Sequence, residues 1–245
     1  MGEFHICHAT LPSGGAGGPG GIAEDYLAFW NECCVEELLD RLAHEKVCVI
    51  LTKGETVGEQ ELVGALQSAS NLSGVLVFGH GHQTKAEIRN RITQPNRVLF
   101  EKAHLRTAGR AGVILLAQHS SEQFGPPARA IEVLALIGFA GSPTVPTIGY
   151  RRSDQHDSDH RAQIVDFHKI AFVGLVVDLA KVLTNPRPGV AVAFQCSKAL
   201  ETCKQALQEA ARQCGELYKT TKNARFSEHQ QFLLDNADLL RCTPD

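Results

Sequence analysis

Short apolar runs of strand length alternate along this chain with longer amphipathic stretches, and that alternation restricts the fold more than any other feature. The runs cover residues 4–8, 47–52, 74–78, 112–116, 144–150 and 189–194. Between them, residues 22–44, 59–70, 85–107, 126–139, 160–183 and 197–222 are predicted as helical. A continuous Val/Ile/Leu run suits a strand buried on both faces. Strands alternating with helices make βαβ units, and right-handed crossovers distribute the helices over both faces of a sheet. The predicted fold is doubly wound α/β: a mostly parallel sheet of about six strands with helices on both faces. Residues 1–222 read as one such domain, with a glycine-rich loop at 14–21 after the first strand, and residues 223–245 as a short helical C-terminal tail.

Charge and cysteine placement exclude several classes. A net charge of −3 without a long Lys/Arg run argues against a nucleic-acid surface. No apolar stretch approaches the roughly 20 residues needed to span a bilayer, and the opening MGEFHICHAT lacks a basic region followed by an apolar run. The eight cysteines form no CxxC pair, so they read as reduced thiols of a cytoplasmic protein rather than a zinc site or disulfide scaffold. The 14–21 loop stands where phosphate-cradling loops occur but lacks the Gly-Lys-Ser/Thr ending.

In open α/β sheets ligands bind at the carboxyl ends of the strands. Five of the eleven histidines fall just past predicted strands, in Gly79-His80-Gly81-His82, in Gln118-His119-Ser120-Ser121, and in the 150–160 segment with His156, Asp157 and His160. Imidazoles on convergent loops with a carboxylate suit a catalytic metal. His80, His82, His119, Asp157 and His160 are the candidate ligands, with zinc as the metal, and they imply a metal-dependent hydrolase.

Two family resemblances bear on function. The strand followed by His80-Gly81 resembles the histidine end of caspase-like and CHAT-type cysteine peptidases. Those families place a cysteine just after the next strand. Here that segment reads Leu115-Leu116-Ala117-Gln118-His119-Ser120, and Ser120 or Ser121 would have to replace the thiol chemically. The second resemblance covers residues 111–150: an apolar strand, Ser120-Ser121, Phe124, Glu132 beside Val133-Leu134, then Val145-Pro146-Thr147-Ile148. This stretch resembles TIR domains. It implies a signalling module that self-associates or binds a protein partner, with NAD as a possible substrate cleaved with the help of Glu132. Ser121 and His119 join Glu132 as candidate catalytic residues, and Gly79, His80 and Phe124 as candidate contacts to a nucleotide. A non-catalytic interaction domain of the same fold is the third reading.

Overall fold

Every strand predicted between residues 4 and 116 forms. The computed structural model describes residues 2–9, 29–54, 59–68, 72–89, 98–108, 111–131, 133–146 and 158–243. Its first half runs β1 (Glu3–Ala9), a π-helical turn (Trp30–Cys34) leading into α1 (Val35–His44), β2 (Cys48–Gly54), α2 (Glu59–Ser68) and β3 (Leu72–Phe78). Three short strands follow, β4 (His80–Gly81), β5 (Glu87–Arg89) and β6 (Val98–Glu101), then α3 (His104–Thr107) and β7 (Gly112–Leu116). The rest comprises α4 (Ser120–Ala130), β8 (Ala135–Phe139), α5 (Ser158–Thr184), α6 (Val192–Thr221), α7 (Ala224–Leu239) and β9 (Leu240–Thr243).

The main sheet has the order β2-β1-β3-β7-β8-β9. Its first five strands are parallel, and only β9 runs antiparallel, against β8. This is the predicted mostly parallel α/β sheet. Successive side chains on a strand point to opposite faces, so each strand feeds two cores. Phe4, Ile6, Leu76, Phe78, Ile114, Leu116, Ile137 and Phe139 face the π-turn, α1, α5, α6 and α7. Cys7, Val75, Val77, Val113, Leu115 and Leu136 face α2, α3, α4 and the small sheet. Trp30, 1 % exposed, anchors the first helix by packing 4.5 Å from Phe78 and 5.8 Å from Phe172, centroid to centroid.

Four expectations are corrected. Residues 85–107 are not one helix: β4, β5 and β6 form an antiparallel sheet, with Ile88 and Phe100 paired across it and both fully buried. Burial of those side chains against the main sheet outweighs the weak helical pattern. Residues 126–139 divide into the end of α4 and the strand β8. Pro126 and Pro127, which read as a helix start, lie inside α4, where their missing N–H groups release the carbonyls of Glu122 and Gln123 in its outer first turn. The fifth parallel strand is therefore Ala135–Phe139. Residues 144–146 are not strand, consistent with the donors lost at Pro143 and Pro146; residues 147–150 lie outside the described residues.

The fourth correction concerns residues 189–194, predicted as the last strand. They turn at Gly189 (φ 76°) and enter α6, with the Gln195 side chain bonded to the Arg187 backbone and the Val190 carbonyl. The sixth strand comes instead from the segment read as a helical tail: after α7 the chain re-enters the sheet as β9, burying Leu240 and Cys242. Among the described residues no helix is long and apolar enough to cross a membrane.

Candidate functional site

The parallel pairing of β3, β7 and β8 sets their carboxyl ends side by side. Leaving β3, Gly79 backs onto Ile88, and His80 pairs with Arg89 in the small sheet. Gly81 then meets the loop after β7. Its N–H donates to Gln118 Oε1 at 2.9 Å, and a Cβ at this position would lie 1.6 Å from the Gln118 carbonyl oxygen. No residue but glycine allows that approach. Two of the three loops predicted to share one rim are thus in contact at these two residues, while residues 150–157 of the third lie outside the described residues.

His80 is 4 % exposed, and neither ring nitrogen has a hydrogen-bond partner. Burial pushes its pKa down to about 4, so the imidazole is neutral at pH 7, with one N–H donor and one lone pair. Each unmet group costs about 1–3 kcal/mol.

His119 is the centre of the second loop. It precedes α4 in the left-handed conformation (φ 54°), a position of backbone strain for a residue with a side chain. That conformation turns its N–H to the Gly141 carbonyl at 2.7 Å, tying the loop after β7 to the loop after β8. Gly141 itself has φ 145°, a conformation glycine accepts without strain. The His119 ring then lies between two side chains. Nδ1 is 2.8 Å from Glu122 Oε2, and Nε2 is 3.3 Å from Ser142 Oγ. An ionised carboxylate only accepts, so Nδ1 is the donor in this pair, and in the neutral form of the ring the Nε2 lone pair faces the serine hydroxyl. Ser142 is exposed, and the Glu122 side chain is about half exposed, at 48 %.

The other predicted residues take different places. Ser120 is a staple between strands: its buried hydroxyl donates to the Leu115 carbonyl at 2.7 Å and accepts from the Phe139 N–H at 3.1 Å. Ser121 is buried at the start of α4. Phe124 is 1 % exposed and packs 5.6 Å from Phe100 in the core beneath α4, away from the rim. His82 Nδ1 accepts from the Thr84 N–H within its own turn, and the next residue's carbonyl takes a bond from Gln123 of α4. His160 packs on Phe226 of α7. Glu132 and Asp157 lie outside the described residues. Among the described residues no three His, Cys, Asp or Glu side chains group as a metal site.

The cysteines also stay apart from this rim. All eight are free, and six are buried. Burial raises the Cys7, Cys196, Cys203 and Cys214 thiols to about 12, which removes them as nucleophiles at neutral pH. None stands in the loops after β3, β7 or β8. At the other end of the sheet, near Gly2, a groove of about 750 Å³ is lined by Val47, Lys181, Arg187, Val190, Phe194 and Lys198 among others.

Two residues of the site escaped the sequence reading. Glu122 had a legible signal, since it follows His119 by three residues and so shares its face at the head of a helix. Ser142 had none without the correct position of β8. Fold and site together define an open α/β protein with a Ser/His/Glu contact at its carboxyl rim. No family model, curated protein or solved structure matches the chain.

Proposed function

We propose that this chain is a hydrolase of acyl substrates, built on a caspase/CHAT-like scaffold, whose working site is the rim over β3, β7 and β8. His119 is its general base. The carrying observation is that His119 Nδ1 is held by Glu122 at 2.8 Å, leaving Nε2 as a fixed proton acceptor. An imidazole in one tautomer, oriented by a carboxylate, is what proton transfer from a nucleophile requires. His119 also stands just past β7, where the resembling peptidases carry their cysteine, so this scaffold would keep the location and change the chemistry. His80 adds support: a buried imidazole with unmet nitrogens, in a loop touching the one that holds His119, favours a site that takes a polar ligand.

The test is hydrolysis of a panel of p-nitrophenyl esters and fluorogenic peptide amides by the purified protein, with and without a chelator. Turnover should survive chelation and fall about 10²–10⁴-fold in His119→Gln, with unchanged circular dichroism. Turnover that is absent, or equal in the variant, would refute the proposal; turnover lost on chelation would favour metal hydrolysis instead.

A further inference from the structure

Resting on the hydrolase reading, a narrower question is what His119 activates, a water molecule or a residue of the chain. We infer that Ser142 is a nucleophile, and that Ser142, His119 and Glu122 form a relay for transfer of an acyl group through a covalent ester. Ser142 Oγ lies 3.3 Å from His119 Nε2, and His119 Nδ1 lies 2.8 Å from Glu122 Oε2. Nucleophile, base and orienting carboxylate in sequential contact are recognised by geometry and roles, on any fold and in any chain order. His119 and Ser142 come from two loops and Glu122 from the first turn of α4, and the loops are clamped together by the bond from the His119 N–H to the Gly141 carbonyl. That bond is adjacent in sequence to the serine, so the clamp fixes the distance between hydroxyl and imidazole. Ser120, the serine nearest His119 in sequence, has its hydroxyl committed to the Leu115 carbonyl and the Phe139 N–H. The exposed Ser142 is the hydroxyl left facing the Nε2 lone pair.

In the first half-reaction Ser142 Oγ attacks the acyl carbonyl carbon while its proton passes to His119 Nε2. The tetrahedral oxyanion collapses, the bond to the leaving group breaks, and His119 returns the proton to the departing oxygen. Glu122 stays ionised and accepts from Nδ1–H throughout. Water then attacks the Ser142 ester, giving its proton to Nε2, and expulsion of Ser142 Oγ takes that proton back. The net change is one ester and one water consumed, with one carboxylic acid and one alcohol released. A half-exposed carboxylate stabilises the imidazolium less than a buried one, so the site suits esters and other activated acyl groups with good leaving groups over amides.

The experiment exposes the full chain to p-nitrophenyl acetate and, separately, to a fluorophosphonate reporter, and maps the adduct by peptide mass spectrometry. One adduct should appear, on the peptide carrying Ser142. It should vanish in Ser142→Ala, drop at least 100-fold in rate in His119→Gln, and return as an acetyl thioester, with release of p-nitrophenol, when Ser142→Cys is treated with p-nitrophenyl acetate. Ester hydrolysis that persists in Ser142→Ala would overturn the inference, because His119 would then be activating water, and the hydrolase reading would stand. A wild-type protein with neither turnover nor adduct would overturn both.

Discussion

Glu122 reaches back one helical turn to hold His119 by Nδ1, at 2.8 Å, in an arrangement that leaves Nε2 open toward Ser142, 3.3 Å away. Its value to the site is orientation and tautomer choice. Glu122→Gln keeps the size and one acceptor oxygen but lets the amide donate, so the opposite tautomer becomes available. Ester turnover should fall about 10- to 100-fold, chiefly in kcat with KM little changed. An unaltered kcat would mean that the pair is only a surface contact.

Gly81 is the point where two loops of the rim meet. Gly81→Ala would place a methyl group against a backbone oxygen, an obstacle that no side-chain rotation relieves. Overpacking of this kind costs about 1–3 kcal/mol, and relief by opening the contact would also break the bond to Gln118. Urea denaturation should show a lower midpoint, and the same variant should lose ester turnover. A midpoint equal to wild type would show that the loops are not locked together.

His80 sets stability against function. Replacing its ring by an aromatic one without nitrogens removes two unmet polar groups, a gain of about 2 kcal/mol or more that exceeds the cost of the slightly larger ring, so His80→Phe should stabilise the fold, read as a higher Tm. Turnover should fall in the same protein if the nitrogens meet substrate. A lower Tm would indicate that the nitrogens are satisfied in the native state.

Acid should weaken the domain at the junction of α5 and α7. His168 Nε2 and His229 Nδ1 lie 3.2 Å apart, both buried. Burial lowers the His168 pKa well below 6.5, with His229 adding to the effect. Burial lowers His229 to about 4, with Arg225 acting in the same direction and Glu228 against it. A depressed imidazole pKa means that the unfolded chain binds more protons below pH 6.5. The stabilisation is complete above that value and is lost as pH falls toward 4, at up to about 1.4 kcal/mol per pH unit for each group. His80 contributes with the same sign. Denaturation midpoints should hold level above about pH 6.5 and fall steadily from there toward pH 4, with a shallower slope in His168→Leu/His229→Leu. A flat wild-type profile would contradict this assignment.

Much of the architecture was legible in the residues. The runs at 4–8, 47–52, 74–78 and 112–116 are apolar enough on both sides to be strands buried on both faces, and each forms close to its expected bounds. The helices around residues 30–44, 59–68, 160–183 and 197–221 follow from spacing that places apolar side chains on one face, as with Leu200, Cys203, Leu207 and Cys214. The rim could be anticipated too, since parallel strands put their following loops at one end.

Tertiary structure decided the rest. Ala135–Phe139 carries five apolar or glycine residues with no period that separates strand from helix, and only a vacant place beside β7 makes it β8. Gly138 fits there because a Cβ would lie 2.4 Å from Ser120 Oγ. Residues 240–243 become a strand because β8 would otherwise present an unpaired edge. The site followed those choices. Short local patterns could nominate His80 and His119, because histidines after strands are visible in one dimension. They could not bring Ser142 to His119 across 23 residues, since that contact exists only once β8 is docked and Gly141 is clamped to the loop after β7.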